Sequence, residues 1–155
     1  MNSHCELRIY PDSVLRGISR SVENIDNEVR KLINEMKYIM YKHNGIGLAA
    51  PQVGILKRIF IADIGNGLFT FVNPVITKTE GQDHLIEGCL SLPGIGVDIR
   101  RHQKVAVIGL NLEGEEIRLE LSGLPARVAQ HEIDHLNGVL IIDYQEKTVP
   151  DKQKG

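Results

Sequence analysis

Cysteine is scarce in this chain. Cys5 and Cys89 stand far apart among 155 residues. A disulfide-stapled scaffold would use more, so a reducing compartment is expected. No charge of one sign dominates either, the formal net charge being -2. Without a basic field to hold them, nucleic acid or an anionic membrane surface as partner would need another argument. No stretch reaches the ~18 apolar residues that suggest a membrane span. The opening MNSHCELRIYPDSVL lacks both a long apolar run and an Arg/Ser-rich amphipathic leader. These absences make a cytoplasmic protein the expectation. Repeats, low-complexity tracts and linkers are also missing. A chain of 155 residues, 42% apolar and 25% charged, then suggests a single domain over residues 1–155 with a real core.

What is present is periodic. Ile25, Val29, Leu32, Ile33, Met36, Ile39 and Met40 recur at helical spacing, which predicts an amphipathic helix from Asp26 to His43 with Gly45 as its stop. The segment GIGLAAPQVG reads as a loop. RIFIADI (Arg58–Ile64) and TFVNPVI (Thr70–Ile76) read as strands, and KVAVIGLNL with EIRLEL as a hairpin turning at Glu113–Gly114. LPARVAQHEIDHLNG predicts a second helix, with Pro125 in its first turn and Gly138 after its end. That helix is apolar on much of its surface, so it should be buried. Strands do not alternate with helices. The expected class is therefore α+β: antiparallel or mixed sheets packed around a buried helix in the C-terminal half, plus an N-terminal amphipathic helix.

The late helix carries the chemistry. His131 and His135 lie four apart, which puts both rings on one face, about 6 Å apart along the axis. Two such imidazoles can bind one divalent ion at about 2.0–2.1 Å each. Glu132 beside the first ring can reach water near that ion, as the H-E-x-x-H pattern requires. Asp134 reads as a structural acid or salt-bridge partner. A catalytic site usually has a third protein ligand. The metzincin pattern fails because Ile141 stands where a third histidine belongs. A thermolysin-like site would have to use Glu146, in a short charged tail. Cys89, in EGCLSLPG, is the better candidate, since an extended segment would let it project toward the helix. A lone cysteine is otherwise a small buried hydrophobe, the reading given to Cys5. His4, His43, His84 and His102 have no partner at ligand spacing. Gly45–Ala50 also matches the G-x-G-x-x-A dinucleotide pattern, but it follows a helix, precedes Pro51, and has no acid about 20 residues on. A binding protein with a purely structural metal is a further reading; it would leave Glu132 and Gln52 without a chemical task.

Three stretches together, GIGLAAPQ (Gly45–Gln52), EGCLS (Glu87–Ser91) and QHEIDHLNG (Gln130–Gly138), resemble the motifs of the peptide deformylases, in that family's order and at its usual separations. IYPDSVL and FVNP extend the likeness from near the start to about Tyr144. The resemblance implies a metal-dependent hydrolase that removes the formyl group from the N-terminal formylmethionine of new polypeptides. It implies Cys89, His131 and His135 as ligands of one divalent ion, Fe(II) by family habit, with zinc, nickel or cobalt able to take its place. Ligand softness alone would not select iron. It gives Glu132 the proton transfers, and the Gln52 amide and the Leu90 backbone N–H the developing oxyanion. Gly45, Ile46, Gly47 and Gly88 would let an extended peptide approach. Ile46, Leu124, Val128 and the stem of Arg127 would hold the methionine side chain. Arg101 matches a family arginine near the peptide entrance, or else is a solvated surface charge. Some relatives approach the ribosome on a longer C-terminal helix, for which Pro150 leaves little room here, so ribosome proximity is expected to be transient.

Overall fold

The computed structural model describes residues 5–145. Glu146, Pro150 and His4 therefore lie outside the described residues. In chain order the elements are α1 (Asn27–Lys42), β1 (Gly47–Ala49), β2 (Ile59–Ala62), β3 (Phe69–Glu80), β4 (Asp83–Cys89), β5 (Leu92–Arg101), β6 (Lys104–Leu110), β7 (Glu116–Ser122), α2 (Leu124–Leu136) and α3 (Ile141–Gln145). Two sheets result. One has five strands in the order β1-β2-β3-β6-β7; the other pairs β4 with β5. Every pairing between these strands is antiparallel.

Asp26 and His43, predicted as the ends of the first helix, are its caps. The Asp26 carboxylate accepts the Val29 N–H at 3.0 Å, satisfying one of the otherwise unpaired donors of the first turn. The chain leaves the helix through Asn44 at φ 60°, so the left-handed stop is Asn44 and not Gly45. Val29, Leu32, Ile33, Met36, Ile39 and Met40 form the buried face of α1.

The continuous apolar run in β2 has a packing cause. Ile59 and Ile61 join the core beneath α1, while Phe60 and Ala62 join the core beneath α2. Alternate side chains of a strand leave on opposite faces, and both faces here are covered, so all four residues are buried. Phe60 and Phe71 lie 5.4 Å apart between ring centroids on the α2 side. Each buried Phe contributes about 1.5–3 kcal/mol through lost contact with water.

Parts of the fold differ from the sequence-based prediction, which places no element at β4, β5 or α3. The GIGLAAPQ segment is not a plain loop: Gly47–Ala49 is the edge strand β1, and Ala50–Val53 is a turn of 3-10 helix. Strand β5 was not predicted, because Pro93, Gly94 and Gly96 interrupt its start and Gly94 sits at φ 80°. Its second half nevertheless alternates, burying Val97, Ile99 and Arg101. Helix α2 starts after Gly123 with Pro125 in its first turn, and the chain reverses at Gly138, φ 74°. A Cβ on Gly138 would lie 2.6 Å from the Arg16 carbonyl oxygen, so glycine is also needed there for close packing.

Candidate metal centre and cleft

Strand β4 ends at Cys89, and a two-residue turn, Leu90–Ser91, leads into β5. Cys89, just before that turn, faces helix α2. The ligand atoms of Cys89, His131 and His135 all lie within 4.8 Å of one another, and the Cys89 Sγ is 3.3 Å from His135 Nε2. The two imidazole centroids are 5.1 Å apart. Sulfur and nitrogen ligands at about 2.3 and 2.0–2.1 Å from one tetrahedral ion stand about 3.3–3.6 Å from each other. The trio needs only a small contraction to meet that requirement.

The surroundings fit a cation as well. His131 Nδ1 lies 2.9 Å from Glu87 Oε1, which leaves Nε2 as the nitrogen available to an ion. A carboxylate behind a ligating imidazole fixes its tautomer and ring plane. Burial opposes a charge on His131, but Glu132, Cys89 and Glu87 outweigh it and raise its pKa to about 10. The groups that raise it, two carboxylates and a thiol, are negative surroundings that also suit a cation. His135 moves the other way: burial, then the charges of His131 and Arg101, push it well below the ordinary histidine value. Its neutral ring is the form that ligates.

Glu87 is a residue the sequence reading passed over. It is buried and accepts the Arg101 fork, Nε to Oε2 at 2.8 Å and Nη2 to Oε1 at 2.9 Å. Arg127 Nη1 adds a bond to Oε2 at 2.5 Å. Burial pushes the Glu87 pKa up, but its bonds to Arg101 and His131 prevail and hold it at about 2. Nothing in the letters EGC marks that acid as buried. Only the fold brings two guanidinium groups from distant segments onto it.

Arg101 corrects an expectation. It is 6% exposed and its guanidinium is held by Glu87 and Asp134, so it is neither at a peptide entrance nor solvated. Asp134 is the ion-pair partner its structural reading implied. Arg127 keeps its head on Glu87, Asp83 and the Ile99 carbonyl, leaving its stem to form a wall. Cys5, half-buried, packs against the α1 core, and burial, then a hydrogen bond with Glu35, pushes its thiol up to about 12. His43 caps α1, and His84 pairs with Asp98 on the surface.

Glu132 is 3% exposed, and its Oε1 finds no hydrogen-bond partner among the described residues. Burial raises its pKa to about 7 against the opposing charges of His131 and Arg101. A carboxyl so placed can hold or release a proton near neutrality. Gln52, 1% exposed, is oriented without ambiguity. Its Oε1 accepts the Ala49 N–H at 3.0 Å, so its NH2 points toward Ser91 Oγ at 3.1 Å and Cys89 Sγ at 3.5 Å. Ser91, fully buried, was another residue without an assigned role in the sequence reading.

These groups open into a cleft of about 490 Å³. Gly45, Ile46, Gly47, Gly88, Leu90, Leu124, Arg127 and Val128 all line it, with Gln52, Cys89, His131 and Glu132 at its base. Leu85 and Ile86 of β4 also line it and are largely exposed, an apolar rim that alternation alone did not reveal. Gly45 packs on Leu90, where a Cβ would lie 2.6 Å from Leu90 Cδ1. At Gly47 a Cβ would lie 2.5 Å from Glu132 Oε2 and 2.9 Å from Val128 Cγ1. Gly47→Ala is therefore expected to displace the Glu132 carboxylate and lower turnover by about 10²-fold, the effect of a 1 Å misplacement. Steady-state kinetics checks this, and an unchanged kcat would show that the carboxylate position is not critical.

Residues 4–151 match the family model described as "Polypeptide deformylase". The chain is 47% identical over 143 residues to the peptide deformylase of Thermodesulfovibrio yellowstonii, covering 89% of this chain and 87% of that one. It is 51% identical over 141 residues to the peptide deformylase of Clostridium botulinum, covering 91% and 96%. The crystal structure of peptide deformylase from Thermotoga maritima superposes with a TM-score of 0.89 at 45% identity, over 92% of this chain and 97% of that one.

Proposed function

The chain belongs to the polypeptide deformylase family, and from that membership we propose that residues 1–155 act as one catalytic unit that hydrolyses the formyl group from the N-terminal formylmethionine of newly made polypeptides. The products are formate and a free amino terminus. The observation that carries the reading is a half-buried Cys–His–His trio beside the buried Glu132, whose Oε1 has no hydrogen-bond partner among the described residues, in an apolar cleft.

Cys89 Sγ and the Nε2 atoms of His131 and His135 would hold one divalent cation, iron(II) in the first instance, with zinc, nickel or cobalt as substitutes. Such a cation supplies Lewis acidity and makes water a nucleophile near neutral pH. The chain does the rest. Glu132 accepts the proton of the attacking water and delivers it to the amine nitrogen as the carbon–nitrogen bond breaks. Negative charge grows on the formyl oxygen, where the Gln52 Nε2 and the Leu90 backbone N–H donate to it. Ala49 and Ser91 already orient the Gln52 amide, and the N–H that now lies 3.5 Å from Cys89 Sγ is the one to turn to the oxygen.

Peptide binding follows from two open edges. Strand β1 is the outer strand of its sheet and β4 belongs to a sheet of only two strands. An extended peptide between them gains backbone hydrogen bonds, and the glycines at 45, 47 and 88 allow it close. Ile46, Leu124, Val128 and the Arg127 stem receive the methionine side chain. Among the described residues no helix is long and apolar enough to cross a membrane. Cytoplasmic nascent chains close to the ribosome are the substrate source this reading requires.

The test is formate release from formyl-Met-Ala, with metal content measured on the same sample. Turnover is expected to vanish on chelation and return with added nickel or iron. Fully metal-loaded protein without turnover would instead favour a purely structural metal.

A further inference from the structure

We infer that Tyr144, on the short helix α3, is a positioning residue for His131, acting through Asp134, Arg101 and Glu87. The inference rests on the reading of Cys89, His131 and His135 as holders of a divalent cation.

The His131 ring is oriented from behind by its bond to Glu87 Oε1. The plane of that carboxylate is in turn set by the Arg101 fork, which engages both of its oxygens. Arg101 has one further arm. Its Nη1 donates to Asp134 Oδ2 at 2.7 Å and, at 3.3 Å, to the Tyr144 hydroxyl oxygen, so Tyr144 reaches Arg101 both directly and through Asp134. Tyr144 donates its hydroxyl to that same Asp134 oxygen at 2.6 Å, and its ring lies under the guanidinium, 5.1 Å from Cζ to centroid. Three elements are thereby joined: the end of β5, the last turn of α2, and α3. Asp134 is next to His135 on the ligand-bearing helix, so the relay closes on the site from behind.

Each link has a physical reason to be stiff. Arg101 and Glu87 are almost fully buried, and a guanidinium–carboxylate fork in that setting tolerates little rotation. Asp134 is the looser member, its side chain 24% exposed. The Tyr144 hydroxyl is a second donor on the Asp134 oxygen that receives Arg101. Burial, followed by the Asp134 bond, raises the phenol pKa to about 12, so the hydroxyl keeps its proton and donates. Arg127 donates to the same Glu87 oxygen that Arg101 Nε holds, so removing the tyrosine hydroxyl loosens the carboxylate without releasing it.

A purely structural role, clamping α3 onto α2, would predict lost stability and nothing more. The test uses the full zinc-loaded chain. Zinc affinity is measured by chelator competition, and the His131 Nδ1–H proton is followed by NMR. Tyr144→Phe keeps the ring and removes only the hydroxyl. It is expected to weaken zinc binding about tenfold, the low end for groups behind a ligand, and to shift the Nδ1–H resonance. Introduced into Glu87→Gln, it should weaken zinc no further, because the route is already cut. If Glu87→Gln does not fold, the Tyr144→Phe resonance decides alone. A lower Tm with wild-type zinc affinity and an unmoved resonance overturns the relay, as do two losses that simply multiply. Failure of the unmodified chain to bind zinc would overturn the metal centre and the relay together. Zinc bound normally by the unmodified chain and equally by Tyr144→Phe would remove only the relay.

Discussion

Glu132→Gln is expected to lower the turnover of formyl-Met-Ala by about 10²–10⁴-fold, the range for loss of a positioned general acid–base group, while metal content stays at the wild-type level. The carboxyl lies beside the ligand trio without belonging to it, and the amide that replaces it has nearly the same shape. Metal retention is therefore the control that separates lost proton transfer from a lost centre. Stability supplies a second check. The Glu132 Oε1 is buried without a partner among the described residues, and burial raises the group's pKa to about 7. Replacing a desolvated acid by a neutral amide removes a cost of folding, so the variant should be at least as stable as the parent. Kinetics, metal content and Tm measured on one preparation test all three. Turnover within threefold of wild type would take Glu132 out of the mechanism. Loss of metal along with turnover would move it into the ligand set.

The contrast between Glu132 and Glu87 shows what the sequence made legible. Glu132 was found because it sits between two histidines at helical spacing, and a helix turns that spacing directly into geometry. Cys89 required a second segment, and its chemistry was bounded only by the need for a third ligand and by family likeness. Glu87 and Ser91 were missed although they flank Cys89. Their roles depend on Arg101, Arg127, Gln52 and His131, which reach them from other elements. Such long-range pairings leave no local period to read. Arg101 failed for the same reason: in sequence an arginine among charged neighbours looks solvated, and burial becomes sensible only once Glu87 and Asp134 are in place. At the level of fold, α1 and α2 were legible from apolar period and from Asp26, Pro125 and Gly138. Strand β5 was not, because its glycine- and proline-rich start obscured an alternation that appears only from Val97 onward.

Cys89→Ala is expected to abolish both metal retention and turnover. Cys89 ends β4 where the chain turns into β5, and its backbone pairs with Leu92, a pairing alanine preserves. The fold should therefore survive, and what disappears is Sγ, 3.3 Å from His135 Nε2. Two imidazoles alone lack the thiolate charge, so affinity should fall by more than the roughly 100-fold upper range for groups behind a ligand. The loss has a thermodynamic signature. A ligand bound only to the folded state stabilises it by about 2.7 kcal/mol at 100 times its dissociation constant. Added zinc should therefore raise the Tm of the parent and leave that of Cys89→Ala almost unmoved. The experiment also separates the deformylase arrangement from a site that draws its third ligand from a downstream glutamate, because such a site would keep both its metal and its thermal shift without the sulfur. If Cys89→Ala gains as much from zinc as the parent does, the sulfur is not a ligand, and the mechanism assigned to this cleft loses its centre.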